Sequence, residues 1–173
     1  MSYKKLIISL LILSLIIILP GCLAKLIPTT PSVTPSAEKA GVLYLEPADL
    51  TLTPSGDFTV ELKVTSITNL KGYSVTLSYD PTLISLQEVT EGPFFSSKGE
   101  TFFYSKEDNG TILIDCALLG KNLSLSGEGT LATLSFTCLK AGSTNIEFSL
   151  AQTRDALNKD IITTKRNSKL KSK

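Results

Sequence analysis

From Val42 onward the chain alternates apolar and polar residues. Phe58, Val60, Leu62 and Val64 share one side of a strand, and Thr59, Glu61, Lys63 and Thr65 take the other. Tyr73, Val75, Leu77 and Tyr79 alternate with Ser74, Thr76 and Ser78. Ile112, Ile114 and Cys116 alternate with Leu113 and Asp115, and Ala132, Leu134, Phe136 and Cys138 with Thr133, Ser135 and Thr137. Ile146, Phe148 and Leu150 alternate with Glu147 and Ser149. A period of two marks a half-buried strand, because successive side chains point to opposite faces. No stretch here keeps helical spacing. Turn residues punctuate the runs at Pro54–Asp57, Asp80–Pro81, Gly92–Pro93, Asn109–Gly110, Gly127–Gly129 and Ala141–Gly142. This pattern predicts an all-β domain, a two-sheet jelly-roll sandwich of about nine strands.

Asn109–Gly110 fixes one register. A two-residue type I′ turn pairs Asp108 with Thr111. Lys106 then faces Leu113, Tyr104 faces Asp115, and Phe102 faces Ala117. Phe103 with Cys116 and Ser105 with Ile114 form the opposite set. Ile114 and Cys116 belong to the apolar side, so the first set lies outside.

The segments before and after this region read differently. Lys4 and Lys5 precede an apolar run from Leu6 to Leu19, then Pro20, Gly21 and Cys22. A basic start, a short apolar stretch and a small residue describe a secretory signal peptide over residues 1–21. Cys22 resembles the lipidated cysteine of prokaryotic lipoproteins. Leu19 and Gly21 fit that pattern, whereas Pro20 fills a slot that usually takes a small or aliphatic residue. A diacylated Cys22 and a retained N-terminal helix give the same topology, an extracytoplasmic domain held to the outer face of the cell membrane. Residues 22–40, rich in Pro, Ser and Thr, form a stiff linker. Its stretch from Lys25 to Ala40, at about 3 Å per residue, spans roughly 40–50 Å. The folded domain is expected over 41–164 and a basic, disordered tail over 165–173.

Net charge is +1, but the charges are segregated. Residues 41–160 hold 8 Lys or Arg against 15 Asp or Glu, and residues 161–173 hold five cations and no acid. An acidic domain excludes nucleic acid as the partner, because phosphate backbones need a positive face. The absence of histidine removes Ser-His-Asp and Cys-His catalysis and the commonest zinc ligand. No phosphate-binding glycine loop is present. Glu107–Gly110 lacks the spaced acids of a calcium loop and reads as a hairpin turn. These exclusions predict a non-enzyme with no metal and no cofactor of its own. Cys116 and Cys138 both face the core and are expected to be free thiols.

Several segments together resemble the cohesin domain family. They are Val42–Pro47, Gly56–Val64, Leu70–Pro81 with its Tyr79-Asp80-Pro81 turn, Asp108–Ile114 and Gly127–Phe136, in that order. The resemblance runs from about Val42 to Ile162. It implies a nine-stranded jelly roll that binds dockerins, small helical modules that carry their own calcium on other proteins. In the family the partner lies across the third, fifth, sixth and eighth strands. On this chain that face offers Gly72, Ser74 and Thr76; Phe102, Tyr104 and Lys106; Leu113, Asp115 and Ala117; and Glu147 and Ser149. Leu118, Leu119, Leu123 and Leu125 flank the same edge. An outward Phe-Tyr-Leu-Ala cluster suits an interface core. With one such domain and no second module, the expected role is a solitary surface receptor for a dockerin-bearing protein, with polysaccharide-degrading enzymes among the candidate cargo. The alternative is a carbohydrate-binding or adhesion module of the same fold. The lack of tryptophan weighs against a sugar platform built on stacked aromatics.

Overall fold

The computed structural model describes residues 41–173. The signal peptide expected over 1–21, the lipidated Cys22 and the linker over 22–40 lie outside the described residues. The described part holds β1 (Gly41–Glu46), β2 (Asp49–Leu52), β3 (Asp57–Ser78), β4 (Ile84–Glu91), β5 (Thr101–Asp108), β6 (Thr111–Leu118), β7 (Leu125–Cys138), β8 (Gly142–Asp155), β9 (Thr163–Arg166) and β10 (Ser168–Ser172). A single helical turn, α1 (Pro93–Ser96), sits between β4 and β5. The all-β expectation is met.

The ladders form two layers that share β3. Its first half, Asp57–Val64, pairs with β7 and β1. Its second half, Gly72–Ser78, pairs with β6 and β8. The back layer runs β4-β7-β3-β1-β9 and the front layer β5-β6-β3-β8-β10-β2. The alternation suggested two strands, over 58–64 and 73–79, but no turn separates them. Register shifts against β7 between Val64 and Leu70, with left-handed backbone at Ser66 and Asn69, bend one continuous strand from layer to layer.

The inward faces meet in one core. Val60, Leu62, Val64, Val75, Leu77, Ile112, Ile114, Leu134 and Phe136 have no exposed surface. Phe136 stacks on Phe58 at 5.4 Å between ring centroids and takes the edge of Tyr79 at the same distance. At one end α1 closes the sandwich, with Phe95 1% exposed and stacked on Tyr73 at 6.1 Å. The hairpin register read from Asn109–Gly110 is the observed one, from Phe102↔Ala117 to Asp108↔Thr111. Both turn residues have positive φ, as a type I′ turn requires.

The C-terminal segment corrects an expectation. Residues 165–173 were expected to be disordered because lysines dominate them, yet they belong to β9 and β10. Lys165 and Arg166 close β9 against β1, where Arg166 lies 4.8 Å from the centre of the Tyr44 ring. Ser168 and Leu170 face inward while Lys169 and Lys171 face water. The short period-two pattern was present but masked by charge. Asn167 marks the step from the back layer to the front and accepts a hydrogen bond from the Phe148 amide. Ser168 donates to the Pro47 carbonyl at 2.6 Å, which satisfies its buried hydroxyl. The domain therefore needs residues beyond 164. Leu170→Ala should lower unfolding free energy by about 2–4 kcal/mol in chemical denaturation, the cost of a buried cavity. A change below about 0.5 kcal/mol, the level of a surface substitution, would restore the disordered-tail reading.

Candidate protein-binding face

The outward side of the front layer is in register across its strands. One row is Phe102, Ala117, Gly72 and Arg154. The next is Tyr104, Asp115, Ser74 and Gln152, and the third Lys106, Leu113, Thr76 and Leu150. Asp108, Thr111, Ser78 and Glu147 close it. At about 4.8 Å between strands the patch is roughly 14 Å wide.

The β3, β5 and β6 residues read from the sequence all lie in these rows. The β8 residues do so only in part. Ser149 has no partner in the ladder, because the register steps from Thr76↔Leu150 to Leu77↔Phe148. This bulge reverses the parity of everything that follows. Leu150, placed inward by simple alternation, faces out and is 45% exposed. Gln152 and Arg154 join the face with it, and sequence reasoning missed all three. The run Phe148-Ser149-Leu150-Ala151 carries no glycine or proline to announce a bulge. Leu118 needs the opposite correction. It is 2% exposed and belongs to the core, while Leu119 and Leu123 are exposed.

Shape follows from side-chain size. Small residues on β3 form a floor between a ridge of Phe102, Tyr104 and Lys106 and a ridge of Leu150, Gln152 and Arg154. A Cβ on Gly72 would come within 2.9 Å of the Cys116 carbonyl, so only glycine keeps the floor open here. A shallow depression of about 330 Å³ lies over it, lined by Phe102, Ala117, Asp115 and Arg154 among others. The Arg154 guanidinium is held from behind by Asp160 at 3.4 Å and by the Asn158 carbonyl. A groove of about 550 Å³ follows β10, lined by Asp49, Leu50, Asn145, Lys169 and Lys171 among others, but it offers no aromatic anchor.

The back layer presents a different surface. Thr59, Glu61, Thr133, Ser135 and Thr137 point outward, and Lys63 bridges Glu46 at 2.6 Å and Glu61 at 3.4 Å. The hydrogen bond to Glu46 holds the Lys63 ammonium pKa above its ordinary value. Phe102, Tyr104 and Leu150 are the exposed large apolar residues of the described strands, and all three lie on the front face. Solvated sheets rarely concentrate aromatic and aliphatic side chains in this way.

Beneath the face lies a buried polar group. The Cys116 thiol points inward toward the Glu91 carboxylate at 3.7 Å. Thr101 donates to the other Glu91 oxygen. Burial, then the Glu91 charge, pushes the Cys116 thiol up to about 12. Burial likewise pushes the Tyr73 phenol well up, and its hydroxyl donates to the Leu131 carbonyl. Cys116 and Cys138 are free, as expected. Their strands do not pair, and the two residues sit in opposite layers.

A two-layer sandwich with one apolar strand face suits a binding module. The comparisons with known proteins make the class specific: the cohesin domain family matches residues 47–169, and the chain belongs to that family. Cohesin domains are non-catalytic protein-binding modules, so the chain is not an enzyme. Solved structures agree on the fold. A non-cellulosomal cohesin from Archaeoglobus fulgidus aligns with TM-score 0.66 at 16% identity, over 78% of this chain and 91% of that one. The cohesin CaCohA2 from Clostridium acetobutylicum gives 0.63 at 17%, over 77% and 92%. The cohesin of a type I cohesin–dockerin complex from Clostridium thermocellum gives 0.64 at 14%, over 78% and 99%. No curated protein matches the sequence.

The thiol chemistry is testable. Below about pH 9 the folded protein keeps Cys116 neutral at no cost, and this stabilising term is lost as pH rises toward 12. Cys116 should therefore resist iodoacetamide at pH 8 until the protein is unfolded, and Cys116→Ala should flatten the fall in stability above pH 9. Rapid alkylation of the native thiol at pH 8 would contradict its burial against Glu91.

Proposed function

We propose that this cohesin is a receptor outside the cytoplasm, held at the outer face of the cell membrane by its N-terminus, that captures a dockerin-bearing protein on its front face. The observation that carries the reading is the registered patch of Phe102, Tyr104, Leu113, Ala117 and Leu150, outward on one layer and without a counterpart on the other. Large aromatic anchors around small residues, with charged groups at the margin, match the anatomy of a protein interface. Asp115 sits at the centre of the patch and Lys106, Arg154, Asp108 and Glu147 at its rim. A partner buries the apolar rows and pairs its own polar groups with Asp115.

The topology rests on the sequence. The basic start, the apolar run Leu6–Leu19 and Cys22 support export and anchoring, and the Pro-, Ser- and Thr-rich composition of 22–40 supports a tether between anchor and domain. The partner brings the calcium its own fold needs; among the described residues no cluster of acidic or cysteine side chains is placed to hold a metal ion. Polysaccharide-degrading enzymes are the cargo that the family resemblance suggests.

The test is capture by immobilised residues 37–173 from the secreted and surface proteins of the native organism, with calcium and with a chelator. Calcium-dependent recovery of proteins that share a duplicated Asp/Asn-rich loop module is the expected result. Tyr104→Ala and Asp115→Ala should each weaken binding of the recovered module by about 2 kcal/mol, roughly 30-fold, with unchanged thermal unfolding. If both variants bind like the parent, another surface does the docking.

A further inference from the structure

Large exposed aliphatic side chains also gather at one end of the sandwich. Leu119 and Leu123 occupy the loop between β6 and β7, each 45% exposed. Leu157 and Ile162, in the loop between β8 and β9, are 72% and 79% exposed. The two loops flank the same point of β3, where Leu70 pairs with Leu125 on one side and Asp155 on the other. Lys71 ties the first loop down by donating to the Gly120 carbonyl. Lys121 and Lys159 stand exposed on the two loops. Singly exposed leucines are ordinary, but four on adjacent loop tips form a patch.

The chain enters the domain at this same end. Gly41 pairs with Thr163, one residue beyond Ile162, and Ile67 packs over Gly41. The point at which the preceding residues join the domain, Gly41, is therefore at the patch end and not at the opposite pole. From these observations we propose that the loops bearing Leu119, Leu123, Leu157 and Ile162 rest on the lipid surface to which the N-terminus is attached. This rests on the anchored reading given above. Aliphatic tips enter the interfacial zone while Lys121 and Lys159 meet lipid phosphates, the division of labour seen in interfacial segments. Glu100, Glu128 and Asp160 lie at this end too, so the aliphatic contacts lead and the lysines assist. Residues 22–40 tether the loops to the bilayer, so a weak contact made at high effective concentration suffices. In this pose the pole carrying the Asn109–Gly110 turn points away from the membrane and the front face stands beside it, open to a partner.

The test uses the full chain reconstituted in vesicles of equal parts phosphatidylcholine and phosphatidylglycerol. An environment-sensitive dye is placed at Leu157→Cys, or at Leu139→Cys in the turn between β7 and β8 at the far pole. Blue-shifted emission, quenched by bilayer-embedded quenchers, is expected at position 157 and not at 139. Adding Leu123→Asp and Ile162→Asp should abolish the shift at 157. Vesicles of phosphatidylcholine alone should reduce it. A chain that floats with the vesicles but leaves both dyes water-exposed overturns the loop contact alone. A chain that does not float overturns the anchoring and the contact with it.

Discussion

One strand belongs to both layers, and the rest of the domain is arranged around it. β3 enters the back layer at Asp57 and leaves the front layer at Ser78, without a turn between. Its bend, with left-handed Ser66 and Asn69, lets inward residues on both halves reach a common core, Val60 and Leu62 before it and Val75 and Leu77 after it. A straight strand of this length would extend about 70 Å and could not be covered on either side by one small domain. The chain repeats the device at Pro47–Ala48, between β1 and β2, and at Asn167, between β9 and β10. In each case a strand of the back layer is followed at once by one of the front. The parallel pairs β1 with β9 and β2 with β10 then bring the two ends of the described chain together in each layer.

The front face inherits its geometry from this frame. Gly72 follows the bend directly, and its missing side chain keeps β3 close to β6 and the floor bare. The type I′ turn at Asn109–Gly110 sets β5 against β6 so that Phe102 and Tyr104 fall on the same side as Ala117 and Asp115. The bulge at Ser149 turns Leu150, Gln152 and Arg154 outward to form the opposite ridge. Three local backbone choices on four strands thus produce a trough with an apolar edge. The back layer, with the same construction, carries threonines, serines and a bridged lysine instead.

Much of this was legible because period two is a robust signal wherever one face is buried. The alternation of Phe58–Val64, Ile112–Cys116 and Ala132–Cys138, and the Asn-Gly turn, led to the correct inward and outward sets. The failures have a common origin, since each involves a position where alternation changes phase or is hidden. No residue at Ser149 announces the bulge, so Leu150 was read into the core. Lysines on the outer side of β10 concealed the inward Ser168 and Leu170. Leu118 ends a strand just before a loop of exposed leucines, and sequence alone cannot divide such a run between core and surface. Pairing partners decided these positions, and partners are tertiary information.

Docking on the front face, and not on another surface, has a direct signature. Amide hydrogen exchange of the domain, free and saturated with a captured calcium-loaded partner module, tests it most directly. Added protection is expected in the front-layer half of β3, in β5, β6 and β8, with β4, β7 and β1 unchanged. Protection confined to the back layer, or to the groove beside β10, would contradict it.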